Sequence, residues 1–201
     1  MGSVRQALVE RIGKWSPARY PETPWQRADL RMPVLLWRLG LGRLAGPLML
    51  LTVTGRSSGL PRRTPVTAHL VGGRTYLWCP YGGRSQWYRN LLAHPVATVQ
   101  SRHGTQVVRA VPIEDGDEAV EVVAELRRFN PPWLQRYLEA EGIADTPEDI
   151  AAGQARLHIR RLEPTQAEGP PALKADLAWL WLLPVVLAAL SAARRLRPAR
   201  Q

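Results

Sequence analysis

Leu48-Met49-Leu50-Leu51-Thr52-Val53-Thr54-Gly55-Arg56-Ser57-Ser58-Gly59-Leu60-Pro61-Arg62-Arg63-Thr64-Pro65 is the stretch on which the reading of this chain turns. Its first seven residues are apolar or β-branched and predict a strand that stops at Gly55. The rest gathers guanidinium, hydroxyl and unhindered backbone N–H groups into one turn. Glycine lets the backbone approach a ligand closely, serine donates hydrogen bonds, and arginine presents a planar fork matched to phosphate oxygens. A solvated turn between two strands uses the same residue types, so composition leaves an anion site and an ordinary turn equally open.

Outward from this stretch, strands are expected at about 48–54, 64–71, 74–80, 96–102 and 105–113, with hairpin turns at Gly72-Gly73 and His103-Gly104. A short helix from Ser85 to Ala93 joins the third and fourth. A longer one opens with the acidic turn at Asp115 and runs to about Phe129, with Val120, Val123, Ala124 and Leu126 facing inward. Another, near Pro132 to Glu141, carries Trp133 and Tyr137 on one face. Leu157 to Leu162 alternates as a closing strand does. The fold class is mainly β with helices (α+β), a small antiparallel barrel. It divides into a helical, basic extension at 1–47, a barrel at 48–165, and a tail at 166–201. Val34 to Leu41 reads as an amphipathic helix covering the barrel, and Glu168-Gly169-Pro170-Pro171 as a linker.

Several motifs in a fixed order carry a family resemblance. Thr54 to Pro65 reads as Thr-Gly-Arg-x-Ser-Gly-x-Pro-Arg-x-x-Pro; Gly72-Gly73 and Gly82-Gly83 follow; Trp87-Tyr88-Arg89-Asn90-Leu91-Leu92, with His94-Pro95 and then Val99, completes the series. From about Met49 to Ile113, with a weaker echo at Leu157 to Pro164, the chain resembles the deazaflavin (coenzyme F420)-dependent nitroreductase family of split-barrel oxidoreductases. The resemblance implies a split β-barrel of the FMN-binding, pyridoxamine phosphate oxidase-like kind. It also implies coenzyme F420, an 8-hydroxy-5-deazaflavin with a phospholactyl oligoglutamate tail that carries a hydride. By resemblance, Arg56, Ser57, Ser58, Arg62 and Arg63 bind the phosphate and tail, and Thr64 and Pro65 offer backbone to the ring. Gly82 and Gly83 let the chain pass close to the ring, while Trp87, Tyr88 and Asn90 form the tail-side wall. Ser57 stands where relatives often have a basic residue, and Arg84-Ser85-Gln86 is a short connection between Gly83 and Trp87. These two departures keep FMN open as an alternative coenzyme. A homodimer is a further expectation from the family.

The implied activity is hydride transfer to a lipophilic acceptor such as a quinone or nitro compound, with Tyr81, Trp133 and Tyr137 as candidate wall residues for that acceptor. Such chemistry asks the protein for alignment and dryness more than for acid–base groups. No catalytic residue is assigned. His69, His94, His103 and His158 lack metal-ligand spacing and read as turn or surface residues, and Cys79 reads as a buried strand residue. The competing reading is a non-catalytic barrel that binds a coenzyme, haem or lipid.

A formal charge of +10 and a pI near 10.9 call for an acidic partner. The basic residues split between the turn at Arg56, Arg62 and Arg63 and the end at Arg194, Arg195 and Arg197, which suits two anionic partners better than one nucleic acid. Leu177 to Ala193 carries no charge but holds Pro184 at its centre, and it is at the short limit for a bilayer span. With Trp179 and Trp181 ahead and arginines behind, Leu177 to Arg197 reads as a helix on an anionic membrane surface. The charged first thirty residues exclude a signal peptide, so the expected place is the cytoplasm, peripheral on or anchored to the inner face of the cell membrane.

Overall fold

In a computed structural model that describes residues 34–44 and 48–177, six strands close into an antiparallel barrel. They are β1 (Leu48–Thr54), β2 (Pro61–Val71), β3 (Arg74–Trp78), β4 (Val96–Ser101), β5 (Gly104–Pro112) and β6 (Ile159–Pro164). The order around the barrel is β1-β2-β3-β6-β5-β4, so the late strand β6 seals the gap between β3 and β5. Closure leaves no open sheet edge. Residues 34–38 are helical, as expected for the start of the Val34 to Leu41 segment. The apolar segment beyond Leu177 lies outside the described residues, as does most of the basic extension. Among the described residues no helix is long and apolar enough to cross a membrane.

Alternation along the strands sorts the core into two layers. Leu51 and Val53 of β1, Leu77 of β3, Val99 of β4, Val108 of β5 and Leu162 of β6 point into the barrel and pack together there. Tyr76 and Trp78, on the opposite face of β3, belong to a second layer beneath the helices. Those helices are α1 (Gln86–Ala93), which bridges β3 and β4, then α2 (Gly116–Phe129), α3 (Pro131–Glu141) and α4 (Pro147–Ala152). Each of the last three starts on a side-chain cap. Asp115 accepts from Asp117 N–H, Asn130 from Trp133 N–H and Thr146 from Asp149 N–H, and Gly142 ends α3 in the left-handed region at φ 65°. The fourth helix escapes the sequence pattern, being short.

The buried face of α2 differs from expectation by about one position. Ala119, Val122, Val123 and Leu126 are buried, whereas Val120 and Ala124 are only partly covered. Glu118 explains the rotation. Its carboxylate, 9 % exposed, accepts from the Tyr76 hydroxyl of β3 and from Arg161 Nη1 of β6, each at 2.7 Å, and stands 3.7 Å from Arg74. Burial alone disfavours its charge, but the hydrogen bonds from Tyr76 and Arg161 and the charge of Arg161 outweigh that, so its pKa falls below the usual value. Anchored there, the helix turns the residue one turn on, Val122, against the barrel.

His69 also departs from its reading as a turn or surface residue. It lies on β2, 6 % exposed, with its ring edge-on to Phe129 at 5.2 Å. Burial lowers its pKa from 6.5 to about 4, so it is held neutral.

Two outcomes follow from these placements. Glu118→Gln should cost about 2 to 4 kcal/mol in urea denaturation, because Arg161 loses the more buried of its two carboxylate partners, with Glu163 remaining. As pH falls from 6.5 toward 4, the unfolded chain gains a proton at His69 that the folded protein does not accept, so stability falls across that window. His69→Leu should remove about 1 to 3 kcal/mol of that fall, and parallel pH profiles for the two proteins would contradict the assignment.

Candidate functional site

The β1–β2 turn is tightly wound. Ser58 and Gly59 N–H both donate to Gly55 O, at 3.2 and 2.8 Å, and Gly55 N–H donates to Leu60 O at 2.9 Å. A Cβ on Gly55 would stand 2.6 Å from Ser58 Oγ and 3.1 Å from Leu60 O, so a side chain there would displace Ser58 from the turn. Ser58 Oγ in turn accepts from Leu60 N–H and from Arg62 Nη2, both at 3.3 Å.

Helix α1 holds this turn in place. Asn90 is buried, and its Oδ1 accepts both the backbone N–H of Arg56, at 3.2 Å, and Nη1 of the same residue, at 2.9 Å. Gln86 lies one helical turn earlier on the same face and takes Nη2 at 2.9 Å. Arg56 is therefore a tether between turn and helix, and Asn90 its anchor. The sequence singled out both residues as ligand contacts, and the structure joins them to each other.

The remaining arginines of this face also bind neutral oxygens. Arg62 reaches Ser58, Arg63 Nη2 reaches Pro171 O at 3.4 Å, Arg84 reaches Tyr81 O and Arg89 reaches Gly83 O at 2.6 Å. Among the described residues no carboxylate pairs with any of them, in contrast to Arg161 and Arg74 on Glu118. Arg56, Ser57, Ser58, Arg62 and Arg63 are exposed, while Thr64 and Pro65 are half-buried on β2 opposite Leu51 and Leu50. The result is a face whose positive charge has no carboxylate partner among the described residues.

The segment that reads as a linker is docked on the barrel beside this face. Thr165 N–H donates to Val107 O, Thr98 Oγ1 donates to Pro170 O, and Gln100 exchanges two hydrogen bonds with the Leu173 backbone at 3.0 and 2.7 Å. A Cβ on Gly169 would meet Val107 Cγ1 at 2.7 Å. Asp176 N–H then donates to Arg38 O at 2.7 Å, which brings Leu177 against Gly40. Nothing in a Gly-Pro-Pro sequence announces this, because the contacts are made by its carbonyls with distant side chains.

Gly82 and Gly83 open a 3-10 turn after β3. Gly82 has φ 57°, and a Cβ there would stand 3.0 Å from Glu141 Oε1 and 3.4 Å from His158 Cε1. On Gly83 it would come within 3.6 Å of His158 Nε2. Cys79 lies just after β3 and donates its Sγ–H to Gly82 O at 3.1 Å; burial pushes the thiol up to about 11, so it stays neutral. Tyr88 is buried with its ring edge-on to His158 at 5.4 Å and the Arg160 guanidinium 5.5 Å from its centroid. Burial raises its pKa, against the pull of Arg160. Trp87 is half-buried, edge-on to Tyr88 and against the barrel interior.

Trp133 and Tyr137 do not line an open wall. Both are buried, and their rings sit edge-on to Trp78 at 5.3 and 5.1 Å, because α3 presents their shared face to β3. Tyr81 is half-buried against Trp133 at 6.2 Å. The Tyr137 hydroxyl is the polar end of this cluster on the His158 side. It donates to Arg156 O at 3.2 Å and stands 3.1 Å from His158 Nδ1, and burial raises its pKa. The sequence gives Glu141 and Gln86 no role at the site and reads His158 only as a turn or surface residue, whereas its ring is mostly covered here. A histidine without ligand spacing and a glutamate at a helix end carry no local signal.

Among solved structures, the chain is similar to an F420-H2 dependent reductase, FDR-A, at 23% identity over 59% of this chain and 95% of that one, with a TM-score of 0.43. It is also similar to HutZ, described as the heme storage protein from Vibrio cholerae, at 12% identity over 63% of this chain and 86% of that one, with a TM-score of 0.38. A conserved hypothetical protein from Mycobacterium tuberculosis matches at 15% identity over 77% of this chain and 86% of that one, with a TM-score of 0.35. Residues 38–141, from the end of the first described helix through α3, match the family model described as F420H(2)-dependent quinone reductase. The chain belongs to that family and is a deazaflavin-dependent reductase whose coenzyme is F420.

Proposed function

We propose that this enzyme reduces a lipophilic quinone at a membrane surface, with the F420 tail held along the β1–β2 turn. The observation that carries the coenzyme placement is the set of arginines around that turn that have only neutral partners. A polyanionic tail supplies the missing counter-charge, and Arg62 and Arg63 exchange one weak hydrogen bond each for charge-assisted ones. The turn fits such a group in a second respect, since Gly59, at φ 66°, has open space around its Cα. When bound, the deazaflavin supplies a hydride; the chain binds the tail, fixes its direction and keeps water from the reacting face. The ring is placed against Gly82 and Gly83, as the family motif implies; their Cβ positions face Glu141 and His158, which puts those side chains beside it.

For the membrane surface, the support is where the docked tail ends. Leu177 is half exposed and lies against the 34–44 segment, whose Leu35 and Leu44 are themselves exposed. Leu177, the first residue of the uncharged run whose sequence holds Trp179 and Trp181 and precedes the terminal arginines, therefore sits beside other apolar groups. A quinone dissolved in the bilayer is an acceptor that such a position serves.

Anaerobic oxidation of reduced F420, followed with a quinone in anionic vesicles, tests this reading. Turnover that rises with vesicle binding supports it; saturable coenzyme binding with no turnover on quinones or nitro compounds favours a carrier. Arg62→Ala with Arg63→Ala should weaken F420 binding by about 1.5–3 kcal/mol per lost contact, read by tryptophan quenching, without changing the urea midpoint. Asn90→Ala should instead lower stability by about 1–3 kcal/mol, because the Arg56 N–H loses its acceptor in a largely buried place.

A further inference from the structure

His158 has a backbone that its side chain alone does not explain. At φ 49° it is the one non-glycine residue among those described with a positive φ. Such a conformation is disfavoured for a residue with a Cβ and persists where the surroundings enforce it. Leu157 and Ile159 on either side are buried, and the carbonyl of His158 accepts from Cys79 N–H at 3.1 Å, so the residue is clamped between two apolar neighbours. The strained turn swings the imidazole outward to the Gly82-Gly83 turn, with about a fifth of its surface open.

The hydrogen bonds around it fix which nitrogen is available. Arg156 O, at 3.2 Å, is an acceptor for the Tyr137 hydroxyl proton, and with the proton there the hydroxyl oxygen accepts from His158 Nδ1–H. Glu141 Oε1 stands 3.8 Å from the same nitrogen. Nε2 is left facing Gly83. The charged and titratable groups around the ring are Glu141 and Tyr137 of α3, Arg156 bound to the Glu141 and Gly142 carbonyls, Tyr88 of α1 with Arg160 of β6 over it, the neutral thiol of Cys79, and Arg89, which is bound to Gly83 O.

We propose that His158 is the proton donor of the reaction, delivering the Nε2 proton to the acceptor oxygen beside Gly83. This rests on the placement of the coenzyme ring and a quinone at that turn. A quinone gains a hydride from the reduced coenzyme, which is oxidised by two electrons, and its carbonyl π bond opens. The second hydrogen arrives as a proton when the Nε2–H bond of the imidazolium breaks. Hydroquinone and neutral imidazole result, and the ring regains its proton from water at its open edge. Tyr137 and Glu141 act as positioning residues, holding Nδ1 so that Nε2 points outward.

Asparagine tolerates the left-handed region, so His158→Asn keeps the fold and removes the proton. The expected result is a fall in kcat of roughly 100-fold or more, an F420 dissociation constant within about twofold of wild type by tryptophan quenching, and loss of the histidine limb of the kcat–pH profile. Added imidazole should restore turnover to His158→Gly, which a purely structural role would not allow. The Cε1–H resonance of His158 in the wild-type protein should move when oxidised F420 is added. A kcat within threefold of wild type with the pH profile unchanged, or a His158 resonance indifferent to bound F420, would overturn the proposal. If wild type fails to bind F420, the coenzyme placement falls first and this proposal falls with it.

Discussion

A single buried carboxamide oxygen organises the functional face. Asn90 Oδ1 receives both the backbone and the side chain of Arg56, so the β1–β2 turn and helix α1 form one unit. A turn rich in glycine and serine has little conformational preference of its own. Fastened at Arg56, it projects Arg62 and Arg63 from the first residues of β2, where the barrel ladder fixes their backbone against Val53 and Thr52. Preorganised guanidinium groups bind an anion without the entropy loss of ordering a loop.

The distribution of counter-charge separates structural arginines from those free for a ligand. On the wall that carries α2, Glu118 gathers Arg161 and Arg74, and Glu163 adds a second contact to Arg161. Around the basic turn the acceptors are carbonyl, hydroxyl and carboxamide oxygens. Paired arginines contribute little field at a distance, so among the described residues this face carries positive charge that Arg161 and Arg74 do not add to. The docked tail adds a boundary to that face: its carbonyls are held by Thr98, Gln100 and Arg63, so the chain beyond it leaves from a defined place.

The barrel was legible because strand alternation and glycine turns are local signals. Leu48–Thr54 and Val96–Ser101 fall where the pattern puts them, the closing strand Ile159–Pro164 starts and ends two residues beyond the Leu157 to Leu162 expected, and the deazaflavin motif names the turn on which the face is built. What the pattern could not carry were contacts made across long separations. The inward face of α2 was set by Glu118 reaching β3 and β6, which no count of apolar positions contains. Trp133 and Tyr137 share a face as their spacing requires, but that face meets Trp78 and not an opening. Arg56 and Asn90 were both marked by the motif as ligand groups, while their bond to each other needed coordinates. His158 reads as a turn or surface residue for the same reason, since Glu141, Tyr88 and Gly82 lie 17, 70 and 76 residues away in sequence.

The measurement that bears most directly on the placement of the coenzyme compares F420 with its tailless 8-hydroxy-5-deazaflavin riboside, by titration calorimetry at two salt concentrations. If the basic turn holds the tail, the riboside binds on the order of 100-fold more weakly, and only F420 loses affinity as salt rises. Equal affinities, or the same salt response for both, would place the binding energy elsewhere and contradict the account.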